Sequence, residues 1–185
     1  MNKFIIAAII QGAIFVGLTI FLVLGQISLI KPEVSRVIAA GGVGTWFTMG
    51  YIMYLAIGVI GVAASAVFYL YFERIVEKSY RKNRVTSILF WIHLLFMNIG
   101  TTLGMGMMMY VGYVGGASML PVFAGGKGLD AAQTHHILAP FVEPIGIAIL
   151  LIAFGVIAGG IGFLLMYGKN IRKDEYHHED RQQIL

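Results

Sequence analysis

From Phe4 to Ile30 the chain runs without a charged residue, and three further stretches repeat the pattern: about Thr45–Phe72, Val85–Gly115 and Ile145–Gly168. A helix crosses the hydrocarbon core with about 20 apolar residues, so each run is long enough to span with length left for tilt. In lipid every backbone N–H and C=O must be satisfied within the protein, which leaves helix as the form for such runs. Composition agrees. Of the 185 residues, 58% are hydrophobic and 12% charged, against about a quarter charged in soluble domains, and mean hydropathy is +0.84. The expected fold is an all-α integral membrane protein: a four-transmembrane-helix bundle in one membrane domain over residues 1–185, ending in a charged tail at 169–185. The first run is longer than the apolar core of a signal peptide, and no small-x-small cleavage site precedes Lys31, so a retained helix is expected.

Lys and Arg set the expected orientation. Lys3, the connection holding Arg74, Lys78, Arg81, Lys82 and Arg84, and the tail with Lys169, Arg172, Lys173 and Arg181 place ten basic residues on one side. Lys31, Arg36 and Lys127 are the three on the other. The positive-inside rule then puts both termini in the cytoplasm, and a prokaryotic cell membrane is the expected location. Pro32, Pro121, Pro140 and Pro144 all fall in or next to the two outer loops, so unbroken spans are expected.

Several function classes drop out on chemistry. With no cysteine there is no disulfide framework, thiolate metal site or catalytic thiol. The formal charge of +4 belongs to loops and is no nucleic-acid footprint. The spans carry no carboxylate pair and no nucleophile triad, which disfavours hydrolysis and ion-coupled transport.

One ionisable group lies well inside a span. His93 is nine residues beyond Arg84, about 13 Å along a helix at 1.5 Å per residue. Met97, Gly100 and Gly104 follow at i+4, i+7 and i+11 on the same face. That face must look into protein, because an imidazole in lipid loses its hydrogen bonds. One reading makes His93 a haem or copper ligand with Met97 or Met53 as thioether partner. The simpler one is an interhelical hydrogen bond to a Tyr, Thr or carbonyl.

The other polar and sulfur groups divide similarly. Met49 and Met53 form M-x-x-x-M, and by depth Met53 and Met97 are expected at similar levels. Met105, Met107, Met108 and Met109 crowd the outer half of the third span. Thioethers suit Cu(I), yet methionine is also a flexible filler beside glycine-rich faces. In the outer loop "LDAAQTHHILAPFVEP", His135, His136, Asp130 and Glu143 are candidates for a metal site. Adjacent histidines point about 100° apart on a helix, so joint ligation requires an irregular backbone, which Pro140 and Pro144 would supply. His177 and His178 read as solvated. His93 lies in the inner half and His135 and His136 at the outer edge, so they cannot clamp one haem.

Gly100 and Gly104, Gly112 and Gly116, and Gly155 and Gly159 each form G-x-x-x-G, and Ala158 with Gly162 extends the last. Small residues four apart let helices approach closely. Packing within the bundle is the plainer expectation, and a face for a partner, centred on Gly104 or Gly159, the sharper one.

Ile92-His93, Met97, Ile99-Gly100, Leu103, Met108, Gly112 and Gly115 follow, in order and without a gap, the pattern of a late span of the haem-copper oxidase large subunit. Asn98-Ile99-Gly100 matches the nitric-oxide-reductase branch, and the basic turn Arg81–Arg84 sits where that family has one. The chain thus resembles that family mainly over Arg81–Gly116. It also departs from it. The family's preceding span supplies a His-x-His that ligates both haems, and no histidine stands in Thr45–Phe72. Where the family has an arginine pair for the haem propionates, this chain has Ser118 to Phe123. Only His93 carries over, at a position that in the family is no iron ligand. The resemblance implies a reduced relative that kept helix packing and lost the redox centres.

The expected function is a non-catalytic membrane subunit of a respiratory or other metallo-oxidoreductase complex, packing against a larger redox subunit in a hetero-oligomer within the bilayer. No cofactor is expected. The alternative is a small membrane protein binding haem b or copper through His93 with Met97 or Met53.

Overall fold

The computed structural model describes residues 2–75 and 84–182, of which 169–182 as backbone only. Among these residues there is no strand, and four helices are long and apolar enough to cross a membrane: Lys3–Ile27, Gly42–Arg74, Arg84–Met119 and Ala131–Gly168. Lys78, Arg81, Lys82 and the side chains of His177 and His178 lie outside the described residues. A short helix, Val34–Ala39, lies between the first two long ones and packs Val34 and Val37 inward.

The third helix is the hub. It runs antiparallel to the second and to the fourth, and glycines set both distances. A β-carbon at Gly100 would fall 2.8 Å from the carbonyl oxygen of Ala148, and one at Gly155 would fall 3.0 Å from the amide nitrogen of Met97. On the other side, a β-carbon at Gly112 would fall 2.8 Å from the carbonyl carbon of Trp46, and one at Gly116 2.8 Å from Cα of Gly44. All three G-x-x-x-G pairs therefore face into this bundle, and Gly104 and Gly159 are not available to an outside partner. Close backbone approach supplies dispersion contacts where lipid removes the hydrophobic drive between helices. On the fourth helix the buried positions Ile145, Ala148, Ile152, Gly155, Gly159, Gly162 and Met166 alternate in steps of three and four. That is the seam spacing of left-handed helix pairs.

Glycine contacts also fix the register of the second and third helices. Gly50 lies against Met105 and Met109, Gly58 against Thr101, and Gly61 against the methyl of Met97. Met97 is therefore level with Gly61. Met53, eight residues earlier in the sequence, lies about 12 Å along the axis from that level and is 42% exposed on the outward face. The expected Met53–Met97 pairing is corrected by this register. Met105 and Met109 are buried among Val34, Phe47, Tyr54 and Ile152, filling the space that the glycines open.

The fourth helix begins at Ala131, well before the expected Ile145, and runs through both Pro140 and Pro144. Asp130 caps it: its carboxylate accepts from the Gln133 amide at 2.7 Å, and the Gln133 side chain accepts from the Asp130 amide at 3.1 Å. This reciprocal pair is a capping box. Each proline lacks an N–H and so frees the carbonyl four residues back, at His136 and Pro140. Both of those residues are exposed near the helix start, where water can replace the lost donor. The helix thus tolerates what a buried span centre would not.

The first helix is the least covered, with 6% of its most apolar window buried. Phe4 and Gln11 are its main attachments, both pressed against the second and third helices.

Candidate functional site

In the middle of the second helix the backbone widens into a π-helical segment, Tyr54–Gly61. Such segments re-aim the side chains around them and recur at functional sites. Here Tyr54 at one end and Ser65 and Tyr69 beyond the other point into the bundle, and each meets a polar partner.

Beyond the π segment lies His93, 3% exposed. The Tyr69 hydroxyl is 3.1 Å from its Nδ1, and the Ser65 hydroxyl is 3.3 Å from its Nε2. Ser65 also donates to the carbonyl of Gly61 at 2.9 Å. One proton arrangement satisfies all three groups: Tyr69 donates to Nδ1, Nε2–H donates to Ser65, and Ser65 donates to Gly61. The neutral imidazole then has neither a spare lone pair nor a spare proton. Phe4 lies tilted against it with ring centroids 4.9 Å apart, and Phe163 meets it edge-on at 5.9 Å. Gly159 gives the ring its room, since a β-carbon there would collide with Nδ1 and lie 2.8 Å from Cγ.

The interhelical hydrogen bond thus runs to Tyr69 and Ser65. Met97 brings a thioether to this site, its sulfur 3.9 Å from the Ser65 hydroxyl. A metal at His93 would have to displace Ser65 or Tyr69 from a ring nitrogen.

A second polar cluster joins three helices. The Gln11 amide donates to Asn98 Oδ1 at 3.0 Å and to Thr102 at 3.1 Å, while the Tyr54 hydroxyl donates to Gln11 Oε1. Asn98 is held in turn by its own donation to the Leu94 carbonyl at 2.7 Å. Farther along, Thr19 and the Tyr51 hydroxyl are 2.8 Å apart. Sequence reasoning passed over Gln11. The signal was there, as one of two amides in an otherwise apolar run, since a buried amide in a lipid-facing stretch needs a partner on another helix.

The histidines of the segment before the fourth expected span do not gather. His135, His136 and Glu143 are all exposed on the regular fourth helix. His136 and Glu143 stand two turns apart, about 10 Å, and Asp130 is spent on capping. Among the described residues no group of three or more His, Asp or Glu is placed to hold a metal ion.

At the same end of the molecule, Glu33 sits between Lys31 and Arg36, in hydrogen-bond contact with the first and 2.9 Å from the second. The Lys31 hydrogen bond, ahead of the other causes, holds the Glu33 carboxyl below the usual carboxylate range. Two of the three expected outer cations are thus paired.

Compared with protein-family models, with curated proteins and with solved structures, the chain matches none. The likeness to the haem-copper oxidase large subunit over Arg81–Gly116 therefore rests on those residues alone.

Proposed function

We propose that the chain is a non-catalytic membrane subunit of a respiratory or other metallo-oxidoreductase complex, with both termini in the cytoplasm of a prokaryotic cell and a larger redox subunit as its partner. Four apolar helices fit an integral membrane protein. The observation that carries the non-catalytic reading is the state of His93: both ring nitrogens are taken by hydroxyls of the second helix. The only imidazole buried among the described residues is thereby spent on joining helices. What this bundle offers a complex is a rigid set of helices and a sparsely covered first helix. The resemblance over Arg81–Gly116 supports a redox complex as the setting, as a relative that kept the packing and not the metal ligands.

The test is isolation of the chain, tagged after Leu185, from its native membranes in mild detergent. Co-migration with a larger haem- or copper-bearing subunit is the expected result. Migration as a lone species through several detergents would overturn the reading. Orientation has its own check: the tag after Leu185 should be protease-protected in intact cells, and one near Gly126 should be cleaved.

A further inference from the structure

The end of the bundle that carries Lys3, Arg74 and Arg84 holds a cavity of about 260 Å³ between all four long helices. That is far more than the ~30 Å³ of one water molecule. Its walls are of two kinds. Phe90, Trp91, Met166 and the ring of Tyr69, whose hydroxyl is engaged by His93, make an apolar side, and Thr86, Ser87 and Lys3 make a polar one. The Thr86 hydroxyl is the informative atom. Thr86 is 8% exposed, its Oγ1 is buried, and it has no hydrogen-bond partner. A buried hydroxyl without a partner is costly, and Thr86 is one of the residues that line this space. The single charge on the described wall is the Lys3 ammonium, which lies 3.9 Å over the ring of Trp91. No carboxylate lines the cavity among the described residues.

We propose that this cavity binds the phosphate of an anionic phospholipid, with Lys3 and the Thr86 and Ser87 hydroxyls on the phosphate and Trp91 beside the glycerol and first acyl carbons. The sign follows from Lys3 being the one charged group on the cavity wall among the described residues, and the hydroxyls supply the donors that phosphate oxygens need. The apolar wall selects an amphiphile over a free ion, which would gain nothing from Phe90, Trp91 and Met166. Trp91 is 40% exposed, and Ile88, one turn away, is 49% exposed, so the site opens onto the outward apolar face where acyl chains would continue. Tryptophan at this level of a helix end is the usual residue of a headgroup boundary, and basic pockets between helix ends are a recurrent form of headgroup site.

The chain has two tryptophans, so Trp46→Phe leaves Trp91 as the sole reporter. The full protein is reconstituted in phosphatidylcholine vesicles containing equal small fractions of brominated phosphatidylglycerol or brominated phosphatidylcholine. The proposal expects clearly stronger quenching of Trp91 by the anionic lipid. Lys3→Gln and Thr86→Val should each reduce that preference, the former by about fivefold, the ratio one surface cation supplies. Thr134→Val, at the other buried unpartnered threonine of a helix start, should leave it unchanged. Equal quenching by the two lipids would overturn the proposal, as would a preference that survives both Lys3→Gln and Thr86→Val. Millimolar inorganic phosphate should not displace the brominated lipid. Displacement by it would assign the site to the free ion and reject the lipid.

Discussion

The imidazole of His93 lies where any residue but glycine at position 159 would place its β-carbon. Two helices meet at this point with one side chain between them, and the glycine is what lets a ring be that side chain. Gly159→Ala should therefore destabilise the bundle by about 1–3 kcal/mol, the usual cost of overpacking a close contact. Gly160→Ala, with open space at its β-carbon position, should be neutral or stabilise by up to about 1 kcal/mol through helix propensity. Detergent-unfolding curves of the two variants make the comparison. Equal stability would mean that His93 does not occupy this space.

The Tyr69–His93 hydrogen bond can be weighed with a double-mutant cycle. Tyr69→Phe leaves Nδ1 unpaired, and His93→Phe keeps a ring but removes both nitrogens. A coupling energy of about 0.6 kcal/mol is expected, and no more than about 1.7, the average and the maximum found for hydrogen bonds between helices in membranes. A coupling near zero would remove Tyr69 as the partner.

Gln11 should hold the first helix to the rest. Gln11→Leu strips partners from Tyr54, Asn98 and Thr102 together, whereas Gln26 is exposed and Gln26→Leu should change little. Because the chain has no cysteine, a pair introduced at Thr19 and Tyr51 reports the distance between the first two helices cleanly. Spin labels there should give a broadened distance distribution in Gln11→Leu and an unaltered one in Gln26→Leu. Identical distributions would show that packing of Phe4 and its neighbours is sufficient.

Glu33 gives the account a pH dependence with a defined sign. Its carboxyl is held below the ordinary value of 4.5, first by the Lys31 hydrogen bond. A depressed carboxylate contributes stability above its unfolded pKa and loses it as pH falls through the folded one. The local order of the Lys31–Arg36 segment should thus be full above pH 4.5 and weaken only at more acid pH. Carbon-13 NMR of the labelled carboxyl should place its midpoint below 4.5 and move it upward in Lys31→Gln. A midpoint unchanged by Lys31→Gln would contradict the pairing.

Four uncharged runs were enough to read the helices from sequence, because their length and composition leave no other backbone solution in lipid. The start of the fourth was misread. Pro140 and Pro144 suggested a loop, while Asp130 and Gln133, a capping box visible in the letters "DAAQ", marked the true beginning. His93 was legible as a buried polar group, since it interrupts an apolar face. Its partners were not, because Ser65 and Tyr69 stand on another helix and which residues meet depends on register. Register here is set by Gly50, Gly58 and Gly61 and by a π-helical widening that no residue pattern announces. The same gap misplaced Met53 against Met97. The cavity at Lys3 was equally hidden, as it is assembled from the ends of four helices that are remote in sequence.

The central claim is that His93 joins helices and holds no metal. Absorption spectroscopy of the purified protein, expressed with haem and copper in excess, tests it most directly. The account predicts no Soret band and no bound copper, with His93→Gln assembling nearly as well as the parent, since the amide keeps one polar contact at a cost of about 1 kcal/mol. A Soret band, or stoichiometric copper, that disappears in His93→Gln would contradict the account and make this a haem- or copper-binding protein.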